Sequence, residues 1–116
     1  MYNSFKGLLT RKSAGRVCVE TAGVEYELET SFATVSRLPV PGSTVRIFAH
    51  LHHRADVLRL YGFADEEERT LFLDLMKVAG IGPKQALRIL SVTNVQSFAA
   101  VLAAGAGDSL NRLPGL

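Results

Sequence analysis

Two glycines flank one isoleucine in the stretch Gly80-Ile81-Gly82, and Pro83 and Lys84 follow directly. Glycine takes backbone turns that other residues avoid, and it puts no side chain in the way of a ligand. Pro83 suits the first turn of a helix, because its missing N–H would have had no partner there. A helix starting here presents free N–H groups with partial positive charge, which bind phosphate. We predict that the three residues of the stretch bind phosphate through backbone N–H groups, and that Lys84 adds its charge.

The same stretch is also compatible with a plain tight connection between two helices. Apolar residues on both sides, a following helix and Lys84 favour the phosphate-binding interpretation. The spacing does not match the GxxxxGK[ST] loop of nucleotide-binding proteins. A phosphate site of this kind reads the nucleic-acid backbone and not the base sequence.

The first half of the chain alternates apolar and polar residues, as strands with one wet face do. The alternation runs through Arg16–Glu20, Val24–Glu29 and Thr44–His53. Two further strands are predicted around residues 5–10 and 58–61, which gives about five strands. Short strands in that number favour a small closed barrel such as the OB-fold, since closure removes exposed sheet edges.

The second half changes to a helical period. Asp65 is placed to cap a helix, with Glu68 as its capping-box partner three residues later. Gly80 is predicted to end that helix, and the next helix begins at Pro83. A third helix is predicted from Asn94 to about residue 104, and a short one from residue 108.

The predicted fold class is therefore α+β with two domains. Residues 1–63 are predicted to form an N-terminal five-stranded OB-fold β-barrel. Residues 64–116 are predicted to form an all-α domain, whose helix, glycine turn and helix resemble the helix-hairpin-helix motif of DNA-binding proteins. The chain has 116 residues, of which 47% are hydrophobic and 21% charged, a globular composition. Its net charge of +2 permits nucleic acid as a partner without demanding it.

The composition also excludes several classes of protein. The single cysteine, Cys18, rules out an internal disulfide and fits a reduced, cytoplasmic setting. No apolar run is long enough to cross a membrane, and the N-terminus lacks the features of a signal peptide. We expect no membrane association.

Other chemistry has weaker support in the sequence. His50, His52 and His53 invite a metal site, but His53 falls on the opposite strand face and no second ligand pair has zinc spacing. Cys18 lies in an alternating strand and is interpreted as a small core or interface residue. The acidic run 65–68 fits a helix's first turn better than a magnesium site. We expect no metal, no cofactor and no catalytic residue.

Taken in order, these motifs resemble the RuvA family, the Holliday junction-binding subunits of the bacterial branch-migration complex. The resemblance covers essentially the whole chain. It rests on the barrel pattern followed by Leu60-Tyr61-Gly62-Phe63, Glu68-Arg69-Thr70-Leu71-Phe72, Gly80-Ile81-Gly82-Pro83-Lys84 and Leu113-Pro114-Gly115.

The resemblance implies a structure-specific, non-catalytic DNA-binding subunit that forms a homotetramer on four-way junction DNA. It implies the RuvB ATPase as the motor of the full-length complex and the RuvC resolvase as a further partner. It also implies a junction-centre pin, where Arg54 and Asp56 would act. The family usually has a second acid between these two, and here that residue is Ala55. We expect a softer and more pH-sensitive pin.

The end of the chain resembles the start of a second hairpin at Pro114 and Gly115. The chain stops before that motif is complete and before the family's RuvB-binding domain. We therefore expect a truncated chain whose contact with RuvB is lost.

Two other functions remain open from the residues alone. The chain could be a fragment of a helix-hairpin-helix DNA repair enzyme, a glycosylase or a nuclease, although no catalytic acid or lysine in a pocket is recognisable. It could also be a protein-interaction module built on the barrel, which would bind no junction at any salt concentration.

Overall fold

Residues 2–92 are described by a computed structural model and contain five strands and three helices. The strands are β1 (Ser4–Ser13), β2 (Arg16–Thr21), β3 (Val24–Glu29), β4 (Thr44–Arg54) and β5 (Val57–Phe63). The helices are α1 (Phe32–Arg37), α2 (Glu66–Met76) and α3 (Pro83–Val92). The helices predicted from Asn94 and from residue 108 lie outside the described residues.

The five strands close into a barrel in the order β1-β2-β3-β5-β4, with β4 pairing back onto β1. All neighbours are antiparallel except β3 and β5, which meet in parallel through Glu29 and Tyr61. This is the strand order of an OB-like barrel, and the helical region follows it. The predicted fold class is confirmed.

The barrel interior is filled by the apolar residues of the alternating pattern. The buried set is Phe5, Leu9, Val17, Val19, Leu28, Val45, Ile47 and Ala49. Gly62 on β5 is required by this packing, because a Cβ there would lie 2.8 Å from Ile47 Cγ2 and 3.1 Å from Leu28. Strand β5 therefore crosses the core at a point where no side chain fits.

A second core joins the helices to the barrel. Its buried members on α2 and α3 are Leu71, Phe72, Leu75, Ala86, Ile89 and Leu90. Tyr61 and Phe63 reach it from β5, with ring centroids 5.3 Å and 4.9 Å from that of Phe72. The aromatic end of β5 thus fixes the helical hairpin against the β4–β5 sheet.

The N-terminus of α2 confirms Asp65 as the helix cap, since its Oδ1 accepts the Glu68 N–H at 2.8 Å. Glu68 has a further role that was not predicted. It is 2% exposed, accepts a hydrogen bond from the Thr34 hydroxyl, and lies 3.6 Å from Arg37 Nη1. It joins α2 to α1.

Helix α1 was not predicted, because six residues after the third strand carry no helical period long enough to recognise. Ser31 caps it by accepting the Thr34 N–H at 3.0 Å. The Phe32 N–H donates to the Ser91 hydroxyl of α3 at 2.9 Å. Helix α1 therefore links the barrel to both α2 and α3.

The predicted end of the first long helix is corrected. Helix α2 ends at Met76, with Lys77 as its C-cap, and Gly80 lies further on, in the turn. The start of the next helix at Pro83 is confirmed.

Candidate nucleic-acid interface

Gly80 and Ile81 shape the turn between α2 and α3. Gly80 has a φ of +86°, a left-handed conformation that favours glycine. Ile81 packs, half-buried, against the helical core, and its N–H donates to the Val78 carbonyl at 3.2 Å. This N–H is already used inside the turn, so Ile81 anchors the hairpin and does not offer a free donor.

Gly82 differs from Gly80, because neither backbone strain nor packing requires a glycine there. Its φ is not positive, and a Cβ would meet nothing within 4 Å. Its N–H donates to the Gln85 side-chain oxygen at 3.4 Å, which is long for a hydrogen bond. A different rotamer of Gln85 would free this N–H for a ligand. The position is open to a group approaching from outside the protein.

The first turn of α3 adds further donors beside Gly82. The helix begins at Pro83, so the N–H groups of Lys84 and Gln85 have no carbonyl one turn earlier within the helix. The first i→i−4 bond here runs from the Ala86 N–H to the Gly82 carbonyl at 3.0 Å. Lys84 is exposed, so its ammonium group is available at the same end.

The predicted pin is the two-residue turn between β4 and β5. Arg54 and Val57 are paired across the strands, and Ala55 and Asp56 form the exposed tip. Asp56 places one carboxylate at that tip. This geometry fits both interpretations of these residues, as a simple hairpin turn and as a junction-centre pin.

A groove of about 440 Å³ runs between the β4–β5 hairpin and the start of α3. Arg54 lines it from the strand side, and Gly82 and Lys84 line it from the helix side. Residues predicted from two separate motifs are thus brought to one groove. His52 and Arg59 also line it, and neither was predicted as a site residue.

Two groups on the β4–β5 strands have shifted pKa values: Tyr61, which lines the groove, and His50, which does not. Burial raises the pKa of Tyr61, and Glu29 raises it further, while Arg59 and Arg54 oppose the shift. Burial also lowers the pKa of His50, and the neighbouring His52 and Arg69 lower it further. His50 packs 6.1 Å from the Phe72 ring and is favoured in its neutral form near pH 7.

The remaining candidate residues from the sequence are Cys18, the possible metal ligands, and Pro114 and Gly115. Burial raises the pKa of the Cys18 thiol, with Glu25 and Glu27 adding to the shift and Arg11 opposing it, so the thiolate is disfavoured. Within residues 2–92, no three His, Cys, Asp or Glu side chains converge as a metal site would need. Pro114 and Gly115 lie outside the described residues.

Comparison with known proteins decides the family. The model described as "RuvA N terminal domain" matches residues 1–62, which cover the barrel strands up to Gly62. The chain belongs to the RuvA family. A second model, "SAM-like Helix-hairpin-helix tandem", matches residues 72–116, which include the hairpin at Gly80 to Lys84.

Full-length relatives agree with this membership. The chain is 46% identical, over all 116 residues, to the Holliday junction branch migration complex subunit RuvA of Treponema pallidum (strain Nichols). It is 42% identical to the protein of that name from Treponema denticola and 40% identical to that from Prosthecochloris aestuarii. It covers 51%, 58% and 58% of these relatives, so it spans little more than half of their length. These matches give no support to the alternative of a repair-enzyme fragment.

No helix within residues 2–92 has both the length and the hydropathy that a bilayer crossing requires.

Proposed function

We propose that this chain is a non-catalytic, structure-specific DNA-binding protein that recognises four-way junctions and holds them open for branch migration by a partner ATPase. The observation that carries the proposal is the basic groove, in which the open position at Gly82 and the cations Arg54 and Lys84 meet. The relatives' name, branch migration complex subunit, supports it. We further propose that residues 1–63 and 64–116 act as barrel and DNA-binding domains.

In this proposal one DNA phosphate sits at the start of α3. The N–H groups of Gly82, Lys84 and Gln85 donate to its oxygens, and the Lys84 ammonium group adds charge. Gly80 and Ile81 act by setting the turn that aims these donors. Phosphate contacts of this kind position the protein on the duplex and carry no base sequence.

At the junction centre, Asp56 repels phosphates and Arg54 attracts them, so that the tip of each β4–β5 hairpin separates strands. Four copies around one axis match the symmetry of a four-way junction, and we propose a homotetramer. A groove of about 490 Å³ on the barrel supports self-association: Leu58 is 67% exposed there, beside Leu51, Leu60 and Tyr2. Its polar lining is Glu27, His53 and Arg59. We propose that a second copy of this chain covers Leu58 and its apolar neighbours, while Arg59 stays open to the other groove.

The remaining parts of the proposal concern the whole protein. ATP hydrolysis resides in the RuvB partner, RuvC acts on the same junctions, and the complex works in the cytoplasm. The second hairpin, begun at Pro114 and Gly115, would bind a further phosphate of the same arm.

The experiment is junction binding by two variants that remove different parts of the phosphate site. Gly82→Ala should fold as the parent does, because its Cβ meets no protein atom within 4 Å, but should weaken binding about tenfold by obstructing the phosphate. Lys84→Ala should weaken binding to all sequences alike and lower the salt slope by about 0.9.

Lys6→Ala is the matched control, since Lys6 is an exposed lysine on β1 that does not line the groove. We expect it to bind almost as the parent does. Unchanged affinity and salt slope in both site variants would contradict the proposed phosphate site.

A further inference from the structure

The register of β4 and β5 puts two more basic side chains in the groove. His52 is paired with Arg59 across the strands, two positions along from the pair of Arg54 and Val57. Residues two apart on a strand share a face. Arg54, His52 and Arg59 therefore form a row of basic side chains that runs from the turn towards Tyr61, along the wall that faces α3.

Arg59 is held in place by a carboxylate on the neighbouring strand. Its Nη1 lies 3.3 Å from both oxygens of Glu29 on β3. A guanidinium group has five N–H donors in a planar fork, and this contact engages only Nη1. Arg59 is exposed, so its remaining donors are free to meet an anion while Glu29 fixes its direction.

The charges that face the groove are unbalanced. Arg54, Arg59 and His52, the cross-strand partner of Arg59, line one wall, and Lys84 lines the other. The carboxylate bound to this group is Glu29, and Asp56 lies beyond it at the hairpin tip. An extended anion with regularly spaced charges fits such a wall better than a small ion does, because the cations are spread along two strands.

We propose that the groove binds a second backbone phosphate of the same DNA strand, with Arg59 as its principal ligand and His52 beside it. The strand then passes from the start of α3 to the β4–β5 tip along a continuous basic track. This inference rests on the proposed function and adds two contact residues to it. Glu29 orients Arg59 and, by its own charge, weakens the phosphate contact.

The test is a pair of variants with opposite expected effects on binding to a four-way junction. Arg59→Gln should weaken binding about fivefold and lower the salt slope by about 0.9, because it removes one phosphate contact made by a partly exposed arginine. Glu29→Gln keeps an oxygen that can accept from Arg59 but removes the repelling charge. It should strengthen binding about two- to fivefold at low salt.

Arg46→Gln is the matched control, since Arg46 is an exposed arginine on β4, about 20 Å along that strand from His52, and does not line the groove. We expect it to change the affinity by less than about twofold. Thermal unfolding of all three variants checks that each is folded as the parent is.

Three results would overturn the inference. Arg59→Gln could bind as the parent does while Lys84→Ala binds weakly, in which case the proposed function stands and the second contact does not. Arg59→Gln and Glu29→Gln could both weaken binding, which would make the pair a structural brace only. Arg46→Gln could weaken binding as much as Arg59→Gln, which would reduce the effect to net charge. A parent chain without junction affinity would instead refute the proposed function itself.

Discussion

Thr34→Val tests the buried contact that joins helix α1 to helix α2. Valine has nearly the shape of threonine, and Thr34 is fully buried, so the change removes a hydroxyl without opening a cavity. The hydroxyl donates to Glu68, whose side chain is 2% exposed. A hydrogen bond to a charged group contributes about 1.5–3 kcal/mol, against about 1 kcal/mol for a neutral pair.

The loss of stability should depend on pH. Burial raises the pKa of Glu68 above its ordinary value of 4.5, and Thr34 and Arg37 oppose that shift. A raised carboxyl pKa stabilises the fold at low pH, and this contribution is lost as the pH rises through the folded-state value. Without the Thr34 hydroxyl the pKa rises further, so the variant loses more stability than the parent as the pH increases.

We expect the variant to be about 1 kcal/mol less stable than the parent at pH 4, where Glu68 is protonated, and about 2–3 kcal/mol less stable at pH 7.5. The melting temperature at pH 7.5 should fall by about 8–12 °C. Asp65 does not alter this comparison. Burial raises the pKa of Asp65, but the Glu68 N–H and Arg37 lower it by more, so the net shift is downward. The stability that Asp65 contributes is therefore lost at low pH in the variant and the parent alike.

Urea unfolding at the two pH values measures these free energies directly. Ser36→Ala is the matched control, since Ser36 is an exposed hydroxyl on the same helix, and it should change stability by less than about 0.5 kcal/mol. An equal loss for Thr34→Val at both pH values would refute the argument that the hydroxyl stabilises a buried carboxylate.

Three further predictions address the core, the pin and the groove that Leu58 lines. Gly62→Ala should cost about 1–3 kcal/mol in chemical unfolding, because its Cβ would lie 2.8 Å from Ile47; unchanged stability would mean that this contact relaxes freely. Ala55→Glu places a second acid at the hairpin tip and should lower junction affinity about two- to fivefold at low salt, less at high salt; equal affinities at both salt concentrations would remove any role for Ala55. Leu58→Asp should lower the mass measured by light scattering if this groove is a subunit interface, and an unchanged mass would exclude that surface.

The barrel was predictable because its signals are local. Alternation in β4 gives the buried face directly, and turn residues mark the breaks between strands. In β2 and β3 the alternation is less exact, because Cys18 is also buried and Val24 is 50% exposed. Helix α1 was missed because it is one and a half turns long and is held by distant partners, Ser91 and Glu68. Glu68 itself was assigned to a local cap, since its burial depends on a helix that the sequence did not reveal.

In the candidate site, too, residues in a local motif were predictable and residues that depend on long-range contacts were not. Gly80 and Lys84 were predicted from a short motif whose spacing indicates a turn followed by the start of a helix. Arg59 could not be found so, because its role depends on two long-range facts: the register that pairs it with His52, and the position of α3 across the groove. The signal that could have revealed Arg59 is a pair of basic residues at opposite positions of the predicted β4–β5 hairpin.

The most direct test of the central claim is the light-scattering mass of the chain, alone and mixed with a four-way DNA junction or with a linear duplex of equal length. We expect a tetramer that binds the junction in preference to the duplex at the same salt concentration. A monomer that binds neither DNA, or that binds both with equal affinity, would contradict it.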